Sequence, residues 1–151
     1  MQISNKCYYA LRALFVLASD YPQSRPVKIS TVASSQGIPK RFLEVILNEL
    51  RQGGFVESRR GVDGGYFLAR KPETITVGEV VRFVDGDIAP VSCVAENSKQ
   101  AECELNFQCP FYEFWLQVRK VMDSVYDGTC MADIVERWSK RNEELNLNYE
   151  I

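Results

Sequence analysis

Three cysteines, Cys93, Cys103 and Cys109, fall in one stretch without helical or strand periodicity. Thiolates on an irregular loop can close around a centre that needs several sulfurs at once, or can change oxidation state themselves. Cys7 and Cys130 bring the total to five. An odd count, with no basic stretch and apolar run opening the chain, points away from a disulfide framework and toward metal or redox chemistry in a cytoplasmic protein. Cys7 lies on an apolar helical face and reads as a small buried hydrophobe, and Cys130 near a helix start reads as packing. There is no histidine. Mechanisms and metal sites that need one from this chain are therefore excluded. No phosphate-binding glycine loop or nucleophile elbow is present either, so no enzyme is expected.

A second group of residues can bind a polyanion. The 151 residues carry a net charge of −2, which hides an asymmetry. Residues 1–71 hold 11 Lys/Arg against 5 Asp/Glu, a net of +6, and residues 72–151 hold 7 against 15, a net of −8. One basic half on an acidic half suggests that the first binds phosphates. Lys28, Lys40, Arg41, Glu44, Arg59, Arg60, Gly64, Gly65 and Tyr66 are the candidate contacts. An arginine such as Arg41 can bridge a guanine, and Glu44 can accept from a cytosine amino group. Arg59 and Arg60 suit phosphates or a minor groove.

The elements that must carry these groups follow from periodicity and breakers. Residues 2–19 predict an amphipathic helix through Ile3, Cys7, Leu11, Leu14 and Ala18, ended by Asp20-Tyr21-Pro22. Residues 28–35 predict a short helix. After the turn at Gly37-Ile38-Pro39, a helix to about Gln52 is expected to bury Phe42, Leu43, Ile46, Leu47 and Leu50 and to expose Lys40, Arg41, Glu44, Asn48 and Arg51. Phe55–Ser58 and Tyr66–Ala69 predict a hairpin over Gly61–Gly65, with positive φ expected at Gly64-Gly65. Thr76 and Glu79 form a capping-box pattern before a helix to about Val84. Pro110 opens the longest helix, to about Tyr126, through Phe111, Phe114, Trp115, Val118, Val121, Met122 and Val125. Thr129 is placed to cap a last helix through Met131 and Trp138, and residues 141–151 are expected to fray. Helix, turn, helix and Gly-tipped hairpin is the winged helix-turn-helix order, whose second helix fits the DNA major groove. The fold class is therefore mainly α, with a winged helix-turn-helix domain at 1–75, a connecting helix and cysteine-bearing sensor loop at 76–109, and a long dimerisation helix and C-terminal helix at 110–151.

Ile3-Ser4-Asn5-Lys6, Tyr9-Ala10-Leu11-Arg12-Ala13-Leu14, Ile38-Pro39-Lys40-Arg41-Phe42-Leu43-Glu44 and Arg60-Gly61-Val62-Asp63-Gly64-Gly65-Tyr66-Phe67-Leu68-Ala69 occur in order. With these motifs the chain resembles the Rrf-two family of bacterial regulators, of the IscR/NsrR/CymR type. The resemblance implies homodimers on palindromic double-stranded operators, paired through the long helix. It also implies a [2Fe–2S] or [4Fe–4S] cluster on Cys93, Cys103 and Cys109. Two features depart from that pattern. Nine residues separate Cys93 from Cys103, a longer interval than usual, though longer loops close at small entropic cost. Tyr8 and Tyr112 stand where the family's acidic or histidine fourth ligand falls. The fourth donor remains open among Cys7, Cys130, a tyrosine or acidic oxygen, and an exogenous molecule, and three thiolates also suit zinc. The alternative keeps the fold and DNA binding but replaces the cluster by thiol switching or a small-molecule or protein effector.

Overall fold

The computed structural model describes residues 2–21, 25–96, 105 and 108–147. Among these, six α-helices and a two-stranded sheet follow in the order α1 (Asn5–Ser19), α2 (Ile29–Gln36), α3 (Lys40–Gln52), β1 (Val56–Arg59), β2 (Gly65–Leu68), α4 (Val77–Asp85), α5 (Tyr112–Asp127) and α6 (Met131–Leu147). The first helix starts where Ser4 turns extended and its hydroxyl accepts the Cys7 N–H at 3.0 Å. Such a cap is worth about 1 kcal/mol. Ser4 also donates its own N–H and hydroxyl to Asp85 at 2.8 and 2.5 Å. One residue thus caps α1 and fixes it to the end of α4.

The core forms where the small-residue face of α1 (Ala10, Ala13, Leu14, Leu17) meets α3 through Leu43, Ile46, Leu47 and Leu50. Each buried Leu or Ile contributes about 1.5–3 kcal/mol. Gly37, at φ 61°, ends α2 in the left-handed conformation, and Pro39 stands just ahead of α3 at φ −57°. Phe42 departs from expectation: it is 60% exposed. The buried positions 43, 46, 47 and 50 define a stripe, and Phe42 sits about 100° around the helix from Leu43, on the outer surface with Lys40 and Arg41.

Beyond α3 the chain turns back as an antiparallel hairpin, with Val56 opposite Leu68 and Arg59 opposite Gly65. The linker before α2 joins it, since Val27 and Tyr66 exchange backbone hydrogen bonds of 2.8 and 2.9 Å. At α4 the Thr76 hydroxyl accepts the Glu79 N–H at 3.1 Å. Glu79 does not reach back to complete the box, because its carboxylate pairs with Arg70. Val77 N–H to Thr129 carbonyl and Met131 N–H to Ile75 carbonyl, both 2.9 Å, stitch the start of α6 to the start of α4. This returns α6 to α1, where Trp138 meets Phe15 edge-on at 5.9 Å.

Three helix boundaries differ from the periodicity, and the first is that of α1, which starts at Asn5 rather than at residue 2 because Ser4 caps it. The long helix starts at Tyr112 rather than Pro110. The last helix continues to Leu147 instead of fraying from 141, and the Cys130 N–H at its start is held by Asp133 at 2.8 Å. The cysteine segment contains a 3-10 turn, Ser92–Val94, packed by buried Ile88 and Val94. No described helix is long and apolar enough to cross a membrane.

Candidate nucleic-acid interface and cysteine segment

Lys40, Arg41 and Glu44 are exposed along the first turns of α3. Beside them, Lys28, Arg59, Arg60, Gly64, Gly65 and Tyr66 line one groove between the start of α2 and the hairpin. Arg51, which periodicity placed outside without assigning it a role, joins that groove. It does so because the Gly53-Gly54 turn, with Gly54 at φ 74°, folds β1 back past the end of α3. No side-chain cap covers the start of α2, and its first residues, Ile29 and Ser30, line the same groove.

The two wing glycines are required for a reason other than the expected one. Gly61 takes a positive φ of 108°, whereas Gly64 and Gly65 do not. A Cβ on Gly64 would stand 2.4 Å from the Arg59 carbonyl oxygen, and one on Gly65 2.4 Å from the Val27 carbonyl oxygen. Both neighbours are backbone and cannot swing aside. Close approach, not turn geometry, demands glycine.

Charge is distributed differently in the two halves. Among the described residues no carboxylate pairs with Lys28, Lys40, Arg41, Arg59 or Arg60. In the acidic half two arginines, Arg82 and Arg119, are paired within the fold. Arg82 of α4 bridges Asp123 and Asp127 of α5 at 2.6 Å each, and its hydrogen bond to Asp127 holds its pKa above the usual value. Arg119, only 9% exposed, meets Asp87 at 3.0 Å, Glu96 at 3.3 Å and Asp123 at 3.4 Å.

Arg119 also donates to the Val94 carbonyl, the residue after Cys93. At the other end of the segment the Cys109 carbonyl accepts the Tyr112 N–H at 3.1 Å. Cys93 and Cys109, both half-buried, are therefore each tied to α5 through backbone. Cys103 lies outside the described residues. Cys7 has no exposed surface, and burial, reinforced by Asp85, pushes its thiol up to about 12. It packs with Val81 and Ile88, as the small hydrophobe expected. Cys130 stands at the start of α6, bonded to Asp133, whose carboxyl the Cys130 N–H holds below the usual range. Among the described residues no three His, Cys, Asp or Glu side chains gather as a metal-binding group. The described donors therefore fall short of a cluster's set, with Tyr8 exposed on α1 and Tyr112 opening α5.

Residues 3–137 match the family model of Rrf2, an iron-dependent transcriptional regulator. The chain is 32% identical to the transcriptional regulator CymR of Bacillus subtilis, over 89% of each protein. It is 30% identical to the regulator IscR of Aliivibrio salmonicida, over 89% of this chain and 77% of that one. In three dimensions it is similar to CymR, the global cysteine regulator of B. subtilis, with a TM-score of 0.73, 31% identity, and coverage of 91% of this chain and 98% of the other.

Proposed function

The chain belongs to the Rrf2 family of transcriptional regulators, and from that membership we propose that it works as a cytoplasmic homodimer. It reads a palindromic operator with α3 and the wing and takes its signal at Cys93, Cys103 and Cys109. The observation that carries the DNA reading is the set of cations without a carboxylate partner, Lys28, Lys40, Arg41, Arg59 and Arg60, gathered on one surface, while Arg82 and Arg119 of the acidic half are paired within the fold. A helix of this width fits the major groove, where Arg41 and Glu44 meet base edges, and Lys28, Arg59, Arg60 and the backbone at Gly64–Tyr66 meet phosphates. Binding to duplex DNA then weakens steeply with salt, and Arg59→Ala with Arg60→Ala lowers the log–log slope by about two. A flat salt response would overturn the assignment.

Two forms of the sensor have specific support. The three segment cysteines, with the likeness to IscR and an iron-dependent family, support an iron–sulfur cluster; such a group, when bound, supplies a centre reactive to oxidants and nitric oxide. The same three cysteines, with the likeness to CymR, support thiol chemistry instead. In both, this chain's own part is mechanical. Cys93 and Cys109 hang from the two ends of a segment fastened to α5, so any change in their bonding pulls on that helix. Protein purified without oxygen separates the two. Visible absorbance with bound iron and sulfide, lost in Cys103→Ala, establishes the cluster. Colourless, iron-free protein whose thiols are trapped after peroxide, with altered operator affinity, establishes the switch. Iron-free protein with unchanged affinity sinks both.

A further inference from the structure

An apolar cleft of about 500 Å³ lies between α1 and α6, apart from the groove at the hairpin, and of its lining only Tyr8 figures in the cysteine site above. Two helices face it with the same spacing: Tyr8, Leu11, Arg12 and Phe15 from α1, and Ile134, Arg137, Trp138 and Arg141 from α6. These are the i, i+3, i+4, i+7 positions that share one helix side. Val77 and buried Met131 also line it. The volume is that of a small-molecule site, and the composition matches one: mostly apolar walls with few, convergent polar groups.

The polar groups have one sign. Three guanidiniums line the cleft and no carboxylate does. Arg12 is held in place, its Nε donating to the Gln36 side chain at 3.1 Å and a second nitrogen to the Gln36 carbonyl, with its plane 5.4 Å over the Tyr8 ring. Arg137 and Arg141 stand one turn apart on α6. Of the acids on that helix, Asp133 accepts the Cys130 N–H while also feeling the charge of Arg137, and Glu136 is paired with Lys140. Trp138, braced edge-on by Phe15, offers a flat wall. Like charges collected over an apolar surface repel one another until an anion joins them. We propose that this cleft is a binding site for a small organic acid whose aromatic or branched apolar body lies against Trp138 and Leu11 and whose carboxylate meets Arg137 and Arg141. Guanidinium forks suit a carboxylate in bidentate geometry.

Calorimetric titration of the intact protein with 2-naphthoate and with its neutral isostere 2-naphthamide tests the site. Naphthoate binds one per chain, at least ~10-fold more tightly than the amide, as charge-assisted bonds to arginine require. Arg137→Gln with Arg141→Gln removes that preference and leaves amide binding unchanged, whereas Trp138→Ala weakens both ligands. Equal affinity for acid and amide, or a preference that survives the double glutamine variant, overturns the proposal. So does binding that disappears as the protein dimerises on concentration, because a second copy then fills the cleft. The readout needs no DNA, so failure to bind operators would sink the regulator reading and leave this isotherm intact.

Discussion

A thiol reports its surroundings through reactivity, and the cysteines here are surrounded differently. Cys7 is sealed between α1 and α4, with its pKa raised to about 12 by burial and by Asp85. Maleimide at pH 8 is therefore expected to label Cys93 and Cys109 in metal-free protein and to spare Cys7 until the fold opens, since the thiolate is the nucleophile; Cys7 labelled at the rate of Cys93, read by mass spectrometry, contradicts the packing described. The same shift has a sign for stability. An acidic group with a raised folded pKa favours the native state below its unfolded pKa, near 8.5. That contribution drains away as pH rises toward about 12, at most about 1.4 kcal/mol per pH unit. Cys7→Ala should flatten this alkaline loss in denaturant melts. At the wing, Gly65→Ala forces its Cβ against the Val27 carbonyl. The expected cost is about 1–3 kcal/mol, with operator affinity falling because Tyr66 and Arg59 move with the strand. The glycine pair was visible in the sequence, but its reason was not: a hairpin pattern announces a turn, while the contact with Val27 belongs to a linker almost forty positions away. Phe42 shows the converse limit. Apolar type suggested burial, and only the packing of Leu43, Ile46 and Leu47 on α1 decided which side of α3 faces inward.

Elements were legible where a side chain bonds its own backbone. The Thr76 cap marks the start of α4 where the sequence pattern placed it, whereas the Ser4 cap starts α1 at Asn5, three residues later than periodicity suggested. The bonds between elements were not legible, and Arg119 is the clearest case. On a helical wheel it occupies a polar position of α5, yet it is buried with partners 25 and 32 residues away. It fastens the Cys93 turn, the end of α4 and α5 at one point, and the Arg82 pairs to Asp123 and Asp127 tie α4 to α5 a turn further on. Arg119→Met keeps much of the side-chain volume but strands Asp87 and the Val94 carbonyl. Breaking a buried pair by removing one partner is severe; with Glu96 and Asp123 more open to water, about 2–4 kcal/mol is expected. Hydrogen exchange should quicken over 87–96 and the first half of α5 while α1–α3 stay protected. Uniform loosening of the whole chain would show that Arg119 supports the core in general rather than this junction, and the mechanical link from Cys93 to α5 would fall with it.

At the scale of the whole molecule the charge split and the long helix ask for a partner. Phe111, Phe114, Val121 and Val125 are each more than half exposed. Together with half-buried Val118 they run at alternating intervals of three and four residues, the seam of two paired helices. Burying such a stripe within one protomer is ruled out by its exposure, and leaving it in water is unfavourable. Pairing of α5 with its copy would also place two α3 helices on one side of a duplex, where the two half-sites of a palindrome lie about 34 Å apart. Operator affinity is then a product of two weak readings held at a fixed distance, so it depends on the dimer more steeply than on any single phosphate contact. Val121→Glu with Val125→Glu tests this cleanly, because both positions face solvent in the protomer and such surface changes usually cost less than about 0.5 kcal/mol each. The double variant should sediment as a monomer with a near-normal melting temperature. It should lose at least ~100-fold in affinity for a palindromic duplex chosen by selection from random sequence, yet bind a single half-site as the parent does. A double variant that stays dimeric moves the two-fold axis away from α5, and with it the route by which Cys93 and Cys109, fastened to that helix, could alter the distance between the reading heads.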